Sequence, residues 1–312
     1  MSDTPEHRKV VIIGSGPAGY TAGLYTSRAL LEPLLFLGPT VGGQLTITTD
    51  VENYPGFADG VTGPEMVDIF RKQAERFGTT CLADTVESVD LSVRPFVVKA
   101  ETTTVTCDTL IIATGADAKY LDLDSVHRLK NKGVSACATC DGFFFRDQRL
   151  AVVGGGDSAV EEATFLTRFA TEVVLIHRRD ELRASKIMAK RALENEKITM
   201  AWDTTVSEAL GDEKLTGLRL KNLKTGEERE EEFGGLFMGI GHVPNTAFLG
   251  DQLAKDEAGY LLTKPGWTAT EIPGVFACGD AADSYYRQAV TAAGTGCAAA
   301  IEAERWLEEQ AG

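Results

Sequence analysis

The 312-residue sequence has no apolar run long enough to span a bilayer. Its first ten residues are polar and mixed in charge, without a positive, apolar and small-residue signal pattern, so a cytoplasmic protein is expected. Positive charge is scarce, because 31 Lys and Arg stand against 46 Asp and Glu, a formal net charge of −15 at pH 7. This acidity disfavours nucleic acid and anionic membrane surfaces as partners.

Cysteine and histidine are also few, at six and four residues. In a cytoplasmic protein, six cysteines are not expected to form a structural disulfide framework. Four of them stand alone among apolar or small neighbours and are expected in the core: Cys81, Cys107, Cys278 and Cys297. The other two form a C-x-x-C pair, Cys137 and Cys140.

Glycine, in contrast, is plentiful, with 32 residues, and it clusters after two short apolar runs. Each run begins a predicted strand, glycine-rich turn, helix and second strand. The first unit comprises Lys9–Gly14, about Pro17–Ala29 and Leu34–Leu37, and the second comprises Leu150–Gly154, Ser158–Arg168 and Glu172–Ile176. Two such units predict an α/β chain with two doubly wound, Rossmann-like, three-layer dinucleotide-binding domains.

The rest of the chain predicts shorter elements around these units. Antiparallel meanders are expected at Phe96–Lys99, Val105–Cys107 and Leu215–Leu220. A final helix over Val290–Glu309, rich in Ala and Glu, is expected to pack on the first domain.

The first glycine-rich turn, Gly14–Gly19, has the spacing G-x-G-x-x-G between a strand and a helix. Gly14 permits the tight turn, Gly16 lets a pyrophosphate approach the backbone, and Gly19 allows close packing of helix and strand. The start of the helix offers free N–H groups to the phosphates. The second strand ends at Gly38 without the acid that would hold a ribose, so the adenosine contacts of this site stay open.

The second turn, Gly154–Ala159, repeats the pattern with alanine at the third position. Its second strand is followed by His177, Arg178 and Arg179, with Arg183 one turn further on, where an NAD site has a carboxylate. Guanidinium groups match a 2′-phosphate in charge and geometry, which predicts NADPH. A solvated basic turn is the alternative interpretation.

Cys137, Cys140 and the adjoining Asp141 form the candidate redox centre. Thiols at this spacing close and reopen a disulfide by exchange, and the pair lowers the pKa of one thiol. Half of a zinc site is the alternative, but the sequence has no second C-x-x-C, and no metal is expected. Asp141 is interpreted either as a proton-transfer group or as a turn residue before Gly142.

Motifs along almost the whole chain resemble those of the low-molecular-weight thioredoxin reductases, in family order. Besides the two turns and the cysteine pair, they are Gly42–Leu45, Val51–Gly56, Ala113–Gly115, His177–Arg183, Gly241–Asn245, Cys278–Asp280 and Arg287–Ala289. The resemblance implies an NADPH- and FAD-dependent pyridine nucleotide-disulfide oxidoreductase. It also implies an FAD domain from residues 1–116 and 246–312, with an NADPH domain, residues 117–245, inserted and carrying the C-x-x-C.

The same resemblance implies the residues that contact the cofactors. Those expected along FAD are Gly14, Gly16, Pro17, Ala18, Gly19, Gly43, Gln44, Leu45, Asn53, Thr114, Gly115, Asp280, Arg287, Gln288 and Ala289. Those expected along NADPH are Gly154, Gly156, Asp157, Ser158, Ala159, His177, Arg178, Arg179 and Arg183. Asn53 could instead be a turn residue before Tyr54–Pro55.

The resemblance implies a thioredoxin-disulfide reductase that works as a homodimer. NADPH reduces FAD, the flavin reduces the disulfide at Cys140, and Cys137 attacks the disulfide of thioredoxin, with Asp141 moving the proton. The inserted domain is expected to rotate about segments near Ala116 and Asn245. The nearest alternative is a flavoprotein of the same fold that reduces or oxidises a different dithiol partner, and a non-enzymatic nucleotide- or metal-binding module is a second.

A basic cluster precedes the cysteines and an aromatic run follows them. We expect Arg128, Lys130 and Lys132 to steer an acidic partner, and Phe143 and Phe144 to form its apolar seat. A solvated loop with a buried aromatic strand is the competing interpretation.

Overall fold

The computed structural model describes residues 5–48 and 50–312; the first four residues of the predicted first domain lie outside the described part. The helices are α1 (Pro17–Arg28), α2 (Gly63–Arg76), α3 (Asp124–Arg128), α4 (Ala138–Asp141), α5 (Asp157–Leu166), α6 (Lys186–Leu193) and α7 (Ala289–Ala311). Short 3-10 turns occupy Gly43–Ile47, Gly142–Phe145, Ala247–Leu249 and Gly279–Ala281. None of the helices in the described ranges is long and apolar enough to cross a membrane.

The strands alternate with these helices and fall into several sheets. In chain order they are β1 (Glu6–Ile13), β2 (Leu34–Phe36), β3 (Asp50–Val51), β4 (Val61–Thr62), β5 (Thr80–Leu82), β6 (Val86–Asp90), β7 (Phe96–Ala100), β8 (Thr104–Ile112), β9 (Ala116–Ala118), β10 (Val134–Ser135), β11 (Arg149–Gly154), β12 (Glu172–Ile176), β13 (Ile198–Ala201), β14 (Thr204–Leu210), β15 (Gly217–Asn222), β16 (Glu228–Glu232), β17 (Gly235–Gly239), β18 (His242–Pro244) and β19 (Val275–Ala277).

The described chain divides into two compact units. One contains the residues up to Asp117 and those from Val243 to the end, and the other contains Ala118–His242. The chain therefore passes from one unit to the other twice, through β9 and β18, which pair with each other.

The first unit is built on a seven-stranded sheet in the order β5-β2-β1-β8-β7-β6, with β19 also paired to β8. β1 lies parallel to both β2 and β8. Its apolar run is buried on both faces, because Val11 and Ile13 join one core cluster while Val10 and Ile12 join the other. Burial on both faces explains why this strand is continuously apolar rather than alternating.

The last helix packs on this unit, as the sequence predicts. α7 lies against α1, and the two backbones meet where Gly296 faces Ala18. A Cβ atom at Gly296 would lie 2.2 Å from the Ala18 carbonyl oxygen, so only glycine permits this approach.

The second unit contains a five-stranded parallel sheet in the order β10-β17-β11-β12-β13. Its central strand β11 is again buried on both faces, with Ala151 and Val153 in one cluster and Leu150 and Val152 in the other. The separate antiparallel sheet β14-β15-β16 contains the predicted strand at Leu215–Leu220, which begins two residues later at Gly217. The five-stranded parallel sheet, together with the parallel strands β5, β2, β1, β8 and β19 of the first sheet, confirms the α/β class.

The expected antiparallel pair Phe96–Lys99 and Val105–Cys107 is confirmed, because residues 104–107 of β8 pair with β7. β8 is longer than expected and continues to Ile112, parallel to β1. The expectation that all four single cysteines lie in the core is wrong for two of them. Cys107 and Cys278 are buried, but Cys81 and Cys297 are only half-buried. Cys81 lies on β5, at the edge of the sheet, where no further strand of the described residues covers it.

Candidate active site and nucleotide-binding turns

Cys137 and Cys140 are joined by a disulfide at the start of α4. Cys137 is the residue before the first helical turn, and the Cys140 backbone N–H donates a hydrogen bond to Cys137 Sγ over 3.2 Å. A backbone N–H aimed at sulfur stabilises negative charge there. The helix start therefore favours the thiolate form of Cys137 once the disulfide is reduced.

Asp141 ends α4 and is half-buried. Burial raises the pKa of its carboxyl group, and a hydrogen bond from Ser135 partly offsets this rise. Ser135 Oγ lies 2.5 Å from Asp141 Oδ2 and accepts the Cys137 N–H over 3.0 Å. A carboxyl group whose pKa is raised beside a dithiol is suited to exchange protons with sulfur. This environment favours the proton-transfer interpretation over a simple turn residue.

The aromatic run after the cysteines is a 3-10 turn, Gly142–Phe145, and not a strand. Phe143 and Phe144 are 50% and 44% exposed and meet edge to face, with ring centroids 6.2 Å apart. The Arg146 guanidinium lies 4.3 Å from the Phe143 ring centre. Phe145 turns inward onto Phe237, at 5.2 Å between ring centroids. The run therefore presents two exposed rings.

The basic residues before the cysteines differ in their contacts. Arg128 donates to the Gly211 carbonyl oxygen over 2.6 Å, so its side chain joins α3 to the loop before β15. Lys130 lies 4.5 Å from the centre of the Tyr120 ring. Lys132 is exposed and forms no ion pair within residues 5–48 and 50–312. Lys132 is therefore the cation of this cluster that is most available to a partner.

The first glycine-rich turn has the shape that its pattern predicts. Gly14 has φ +107°, a conformation that side chains disfavour, and a Cβ there would lie 2.3 Å from the Ala113 carbonyl oxygen. A Cβ at Gly19 would lie 1.7 Å from the Gly14 carbonyl oxygen. Gly16, in contrast, has open space around it, and the nearest atom to a Cβ on Gly43 would be the Gly16 Cα, 3.9 Å away. Two glycines thus border one open cradle.

Among the buried polar atoms of this unit that lack hydrogen-bond partners in the described residues, Thr114 Oγ1 and Asp280 Oδ1 belong to predicted flavin residues. Burial raises the pKa of Asp280 to about 7, Asp283 adds to the rise and Arg287 opposes it. Buried polar groups are normally satisfied, so unpaired ones call for a ligand with hydroxyl or amide groups. The ribityl and phosphate groups of a flavin dinucleotide fit these orphaned atoms and the open glycine cradle.

Other predicted flavin residues make contacts of their own. Asn53 Nδ2 donates to Gln288 Oε1 over 3.3 Å, which joins the Val51–Gly56 loop to the residue that precedes α7. Arg287 has φ +48°, and its guanidinium donates to the Ser284 carbonyl oxygen over 2.6 Å. Gln44 Nε2 donates to Asp117 Oδ1 over 2.6 Å. The first of these contacts brings Asn53 and Gln288 together at the start of the last helix.

The second glycine-rich turn repeats the geometry of the first. A Cβ at Gly154 would lie 2.3 Å from the Gly239 carbonyl oxygen and 2.5 Å from the Ala159 Cβ, whereas Gly156 has open space around it. Asp157 Oδ1 accepts the Ser185 N–H over 2.7 Å, so this side chain holds the start of α6. The open space at Gly156 fits the pyrophosphate of a second dinucleotide.

The predicted 2′-phosphate residues fall into an exposed and a buried group. Arg178, Arg179 and Arg183 are exposed and form no ion pairs with the described residues. The nearby acids Asp180 and Asp203 instead bind Lys224, each at 2.9 Å. Three guanidinium groups thus stay available in an acidic chain.

His177 belongs to the buried group. Its ring packs beneath the turn, where a Cβ on Gly155 would lie 2.2 Å from it, and burial lowers the pKa of the imidazole. His177 Nε2 has no hydrogen-bond partner among the described residues. The histidine therefore supports the turn from below, while the arginines face solvent.

Comparison with known proteins agrees with this fold. The family model described as pyridine nucleotide-disulphide oxidoreductase matches residues 8–296. The chain is 52% identical to a thioredoxin reductase of Chlamydia pneumoniae, over 96% of this chain and 99% of the relative, and 53% identical to one of Mycolicibacterium smegmatis, over 99% and 100%. A solved thioredoxin reductase from Giardia duodenalis superposes with a TM-score of 0.93 at 45% identity, over 97% and 99% of the two chains.

The two glycine-rich turns and the disulfide thus define a class of oxidoreductase that depends on a flavin and a nicotinamide. The chain belongs to the pyridine nucleotide-disulphide oxidoreductase family, and the relatives just described are thioredoxin reductases.

Sequence reasoning missed two residues of the site. Ser135 precedes the cysteine pair by two positions and hydrogen-bonds to both Cys137 and Asp141. Asp117 holds Gln44. The position of Ser135 at the end of a buried strand could have indicated its role. Nothing in the local sequence pattern indicates that Asp117 is the partner of Gln44.

Proposed function

We propose that this protein is an NADPH-dependent thioredoxin reductase with FAD as its cofactor. The observation that carries the proposal is the Cys137–Cys140 disulfide, whose first sulfur accepts an N–H from the helix start and whose second is followed by a half-buried acid. This arrangement has the parts of a thiol–disulfide exchange centre: a stabilised thiolate, a second thiol and a proton donor.

FAD is assigned to the first unit. The Gly14–Gly19 turn would hold its pyrophosphate, Thr114 and Asp280 would satisfy its polar groups, and Gln288 would meet the ring system at the start of α7. When bound, the flavin accepts a hydride equivalent from the nicotinamide and supplies two electrons to the disulfide.

NADPH is assigned to the second unit. The Gly154–Ala159 turn would bind its pyrophosphate, and Arg178, Arg179 and Arg183 would bind its 2′-phosphate. The support for NADPH over NADH is that three exposed guanidinium groups have no ion-pair partner among the described residues where an NAD site has an acid.

The protein's own residues then act on the partner. Cys137 would attack the disulfide of thioredoxin as the thiolate, Asp141 would protonate the sulfur that leaves, and Cys140 would resolve the mixed disulfide and restore the Cys137–Cys140 bond. Phe143 and Phe144 would provide the apolar seat for thioredoxin, and Lys132 would attract its acidic surface. We further propose that the protein is a cytoplasmic homodimer. Sedimentation equilibrium would measure the mass of the assembly.

The proposal is tested by purifying the protein and adding each nicotinamide cofactor. We expect a yellow protein that NADPH bleaches and NADH does not, and NADPH-dependent reduction of thioredoxins. The same assay with low-molecular-weight disulfides identifies the alternative, a flavoprotein that acts on another dithiol partner. Reduction of those disulfides without any reduction of thioredoxin would contradict the proposal.

A further inference from the structure

Ser135 occupies a fixed position at the end of a parallel strand. It is the last residue of β10 and lies opposite Phe237 of β17 in the sheet register. Its side chain is only 4% exposed. Its hydroxyl oxygen nevertheless makes two hydrogen bonds, to the Cys137 N–H at 3.0 Å and to Asp141 Oδ2 at 2.5 Å.

The direction of these bonds follows from elementary chemistry. An ionised carboxylate can only accept hydrogen bonds, so the single hydroxyl proton of Ser135 goes to Asp141 Oδ2, while the hydroxyl oxygen accepts from Cys137. A charge-assisted O–H···O⁻ bond of this length is among the stronger ones in proteins. With Oδ2 engaged, the other carboxyl oxygen of Asp141, Oδ1, is left to take up and release a proton.

The remaining groups around Asp141 do not replace Ser135. Within the described residues, Ser135 is the one side chain that hydrogen-bonds to Asp141. The neighbouring Tyr120 stays neutral, because burial and the charges of Asp141 and Glu162 raise the pKa of its phenol to about 12. Lys130 lies above the Tyr120 ring, and its ammonium group contacts the ring rather than the carboxylate.

We propose that Ser135 is a positioning residue for disulfide exchange, because its hydroxyl, itself anchored by the Cys137 N–H, holds in place the carboxyl group of Asp141 that delivers the proton. The inference rests on the proposed role of Asp141. In the step concerned, the Cys137 thiolate attacks one sulfur of the partner disulfide, and a new S–S bond forms as the partner's S–S bond breaks. The departing thiolate takes the proton from Asp141, which becomes a carboxylate.

The test uses two small disulfides that differ in how much their leaving sulfur needs a proton. A dialkyl disulfide releases a basic thiolate, whereas an aromatic disulfide with electron-withdrawing substituents releases a stable one. The NADPH-reduced, FAD-loaded enzyme is mixed with each, and the rate of a single turnover is measured. General acid catalysis contributes ~10²–10⁴-fold, so misplacing the acid in Ser135→Ala should slow the dialkyl reaction by at least ~10-fold and the aromatic reaction by less than ~2-fold.

Two further variants separate the hydroxyl from the volume it fills. Ser135→Thr keeps the hydroxyl and Ser135→Val replaces it with a methyl group of similar size, so the Thr variant should restore the dialkyl rate and the Val variant should not. Asp141→Asn should show the same selective loss as Ser135→Ala. The Thr and Val pair keeps the comparison available if the Ala variant does not fold.

Equal slowing of both disulfides in Ser135→Ala, or no slowing of either, would overturn the proposal, as would equal rates in the Thr and Val variants. The test is separate from that of the proposed function. A wild-type enzyme that reduces both small disulfides but not thioredoxin would contradict the proposed partner. The rates of the Ser135 variants with the two small disulfides would still test the role of Ser135.

Discussion

At the scale of single residues, Asp280 has a carboxyl oxygen whose hydrogen-bonding capacity is not satisfied within the described part of the protein. Its Oδ1 is buried without a partner among the described residues, and the pKa of its carboxyl group is raised from 3.8 to about 7, first by burial. A raised carboxyl pKa means that the folded state binds the proton more tightly than the unfolded chain. Protonation of Asp280 therefore contributes fully to the free energy of unfolding of the flavin-free protein below about pH 4. This contribution is lost as the pH rises towards 7.

Asp280→Asn should remove this dependence. We expect the flavin-free variant to gain stability over the flavin-free wild type as the pH rises from 5 to 8, by up to about 3 kcal/mol, since each pKa unit corresponds to ~1.4 kcal/mol. Urea denaturation at the two pH values measures the difference. A constant difference across this range would show that the Asp280 carboxyl is not the titrating group.

The three exposed arginines make the second prediction at this scale. Replacing Arg178 and Arg179 with Gln should weaken the binding of NADPH by about 1.5–3 kcal/mol for each lost charged hydrogen bond and should leave the binding of NADH unaffected. Steady-state KM values for both cofactors measure the effect. Arg191→Gln, at an exposed position in the last turn of α6, is the matched control. An unchanged preference for NADPH in the double variant would contradict the assignment.

The sequence predicts some of these residues and not others, for a physical reason. Gly14, Gly154 and the arginines belong to local patterns in which strand, turn and helix follow one another along the chain. The bond from Ser135 to Asp141 depends on how α4 folds back on the end of β10, and the bond from Gln44 to Asp117 joins residues 73 positions apart. Contacts of that kind are set by tertiary packing.

At the scale of elements, α7 combines two glycines with opposite surroundings. A Cβ at Gly296 would lie 2.2 Å from the Ala18 carbonyl oxygen, whereas a Cβ at Gly294 would have no neighbouring atom of the described residues within 4 Å. Gly296→Ala should force α1 and α7 apart and lower the free energy of unfolding by about 1–3 kcal/mol. Gly294→Ala should raise it by about 0.5–1 kcal/mol, because alanine is the better helix former.

Urea denaturation of both variants measures these changes within one helix, so Gly294→Ala controls for helix propensity. Destabilisation of similar size in both would indicate that the space around Gly296 is not what limits the packing of α7 on α1.

The exposed turn Gly142–Phe145 makes a prediction about the partner. Replacing Phe143 and Phe144 with Ala should raise KM for thioredoxin by ~10-fold or more, as for central apolar contacts in an interface, without changing the rate at which an aromatic disulfide is reduced.

Lys132→Glu should lower the rate of association with thioredoxin and the sensitivity of that rate to salt. Lys132 is the better position for this test than Arg128, because Arg128 also joins α3 to the Gly211 carbonyl. Unchanged thioredoxin kinetics across ionic strength would contradict the steering role.

Element prediction from the sequence is best where the apolar run is buried on both faces. The expected strand Glu172–Ile176 matches β12, and the helices after both glycine-rich turns lie within one or two residues of α1 and α5. The prediction for β8 is right about antiparallel pairing with β7 but too short, because the strand continues to Ile112 in parallel pairing with β1. Local alternation does not reveal that one strand serves two partners.

At the scale of the whole molecule, the disulfide and the exposed arginines lie within Ala118–His242, and the proposed flavin residues lie in the other unit. If NADPH and the disulfide both exchange electrons with one flavin, they must reach it in turn. We therefore predict a rotation of the second unit about the two chain crossings, a hinge motion of a kind that often limits turnover.

A reversible cross-link between cysteines engineered into the two units, away from both sites, should block turnover with thioredoxin and restore it on cleavage. Each single-cysteine variant, treated in the same way, controls for the reagent. Full activity in the verified cross-linked form would show that no rotation is required.

The proposed function depends above all on Cys137 transferring the reducing equivalents to thioredoxin. The most direct measurement is mass spectrometry of the mixed disulfide formed when reduced Cys140→Ser is mixed with a thioredoxin in which one disulfide cysteine is replaced by serine and the other carries an aromatic thiol as the leaving group. We predict a stable one-to-one adduct through Cys137, because neither protein keeps a second thiol that could resolve it, and no adduct from Cys137→Ser under the same conditions. An adduct that forms through Cys140 instead, or none with any thioredoxin, would contradict the account.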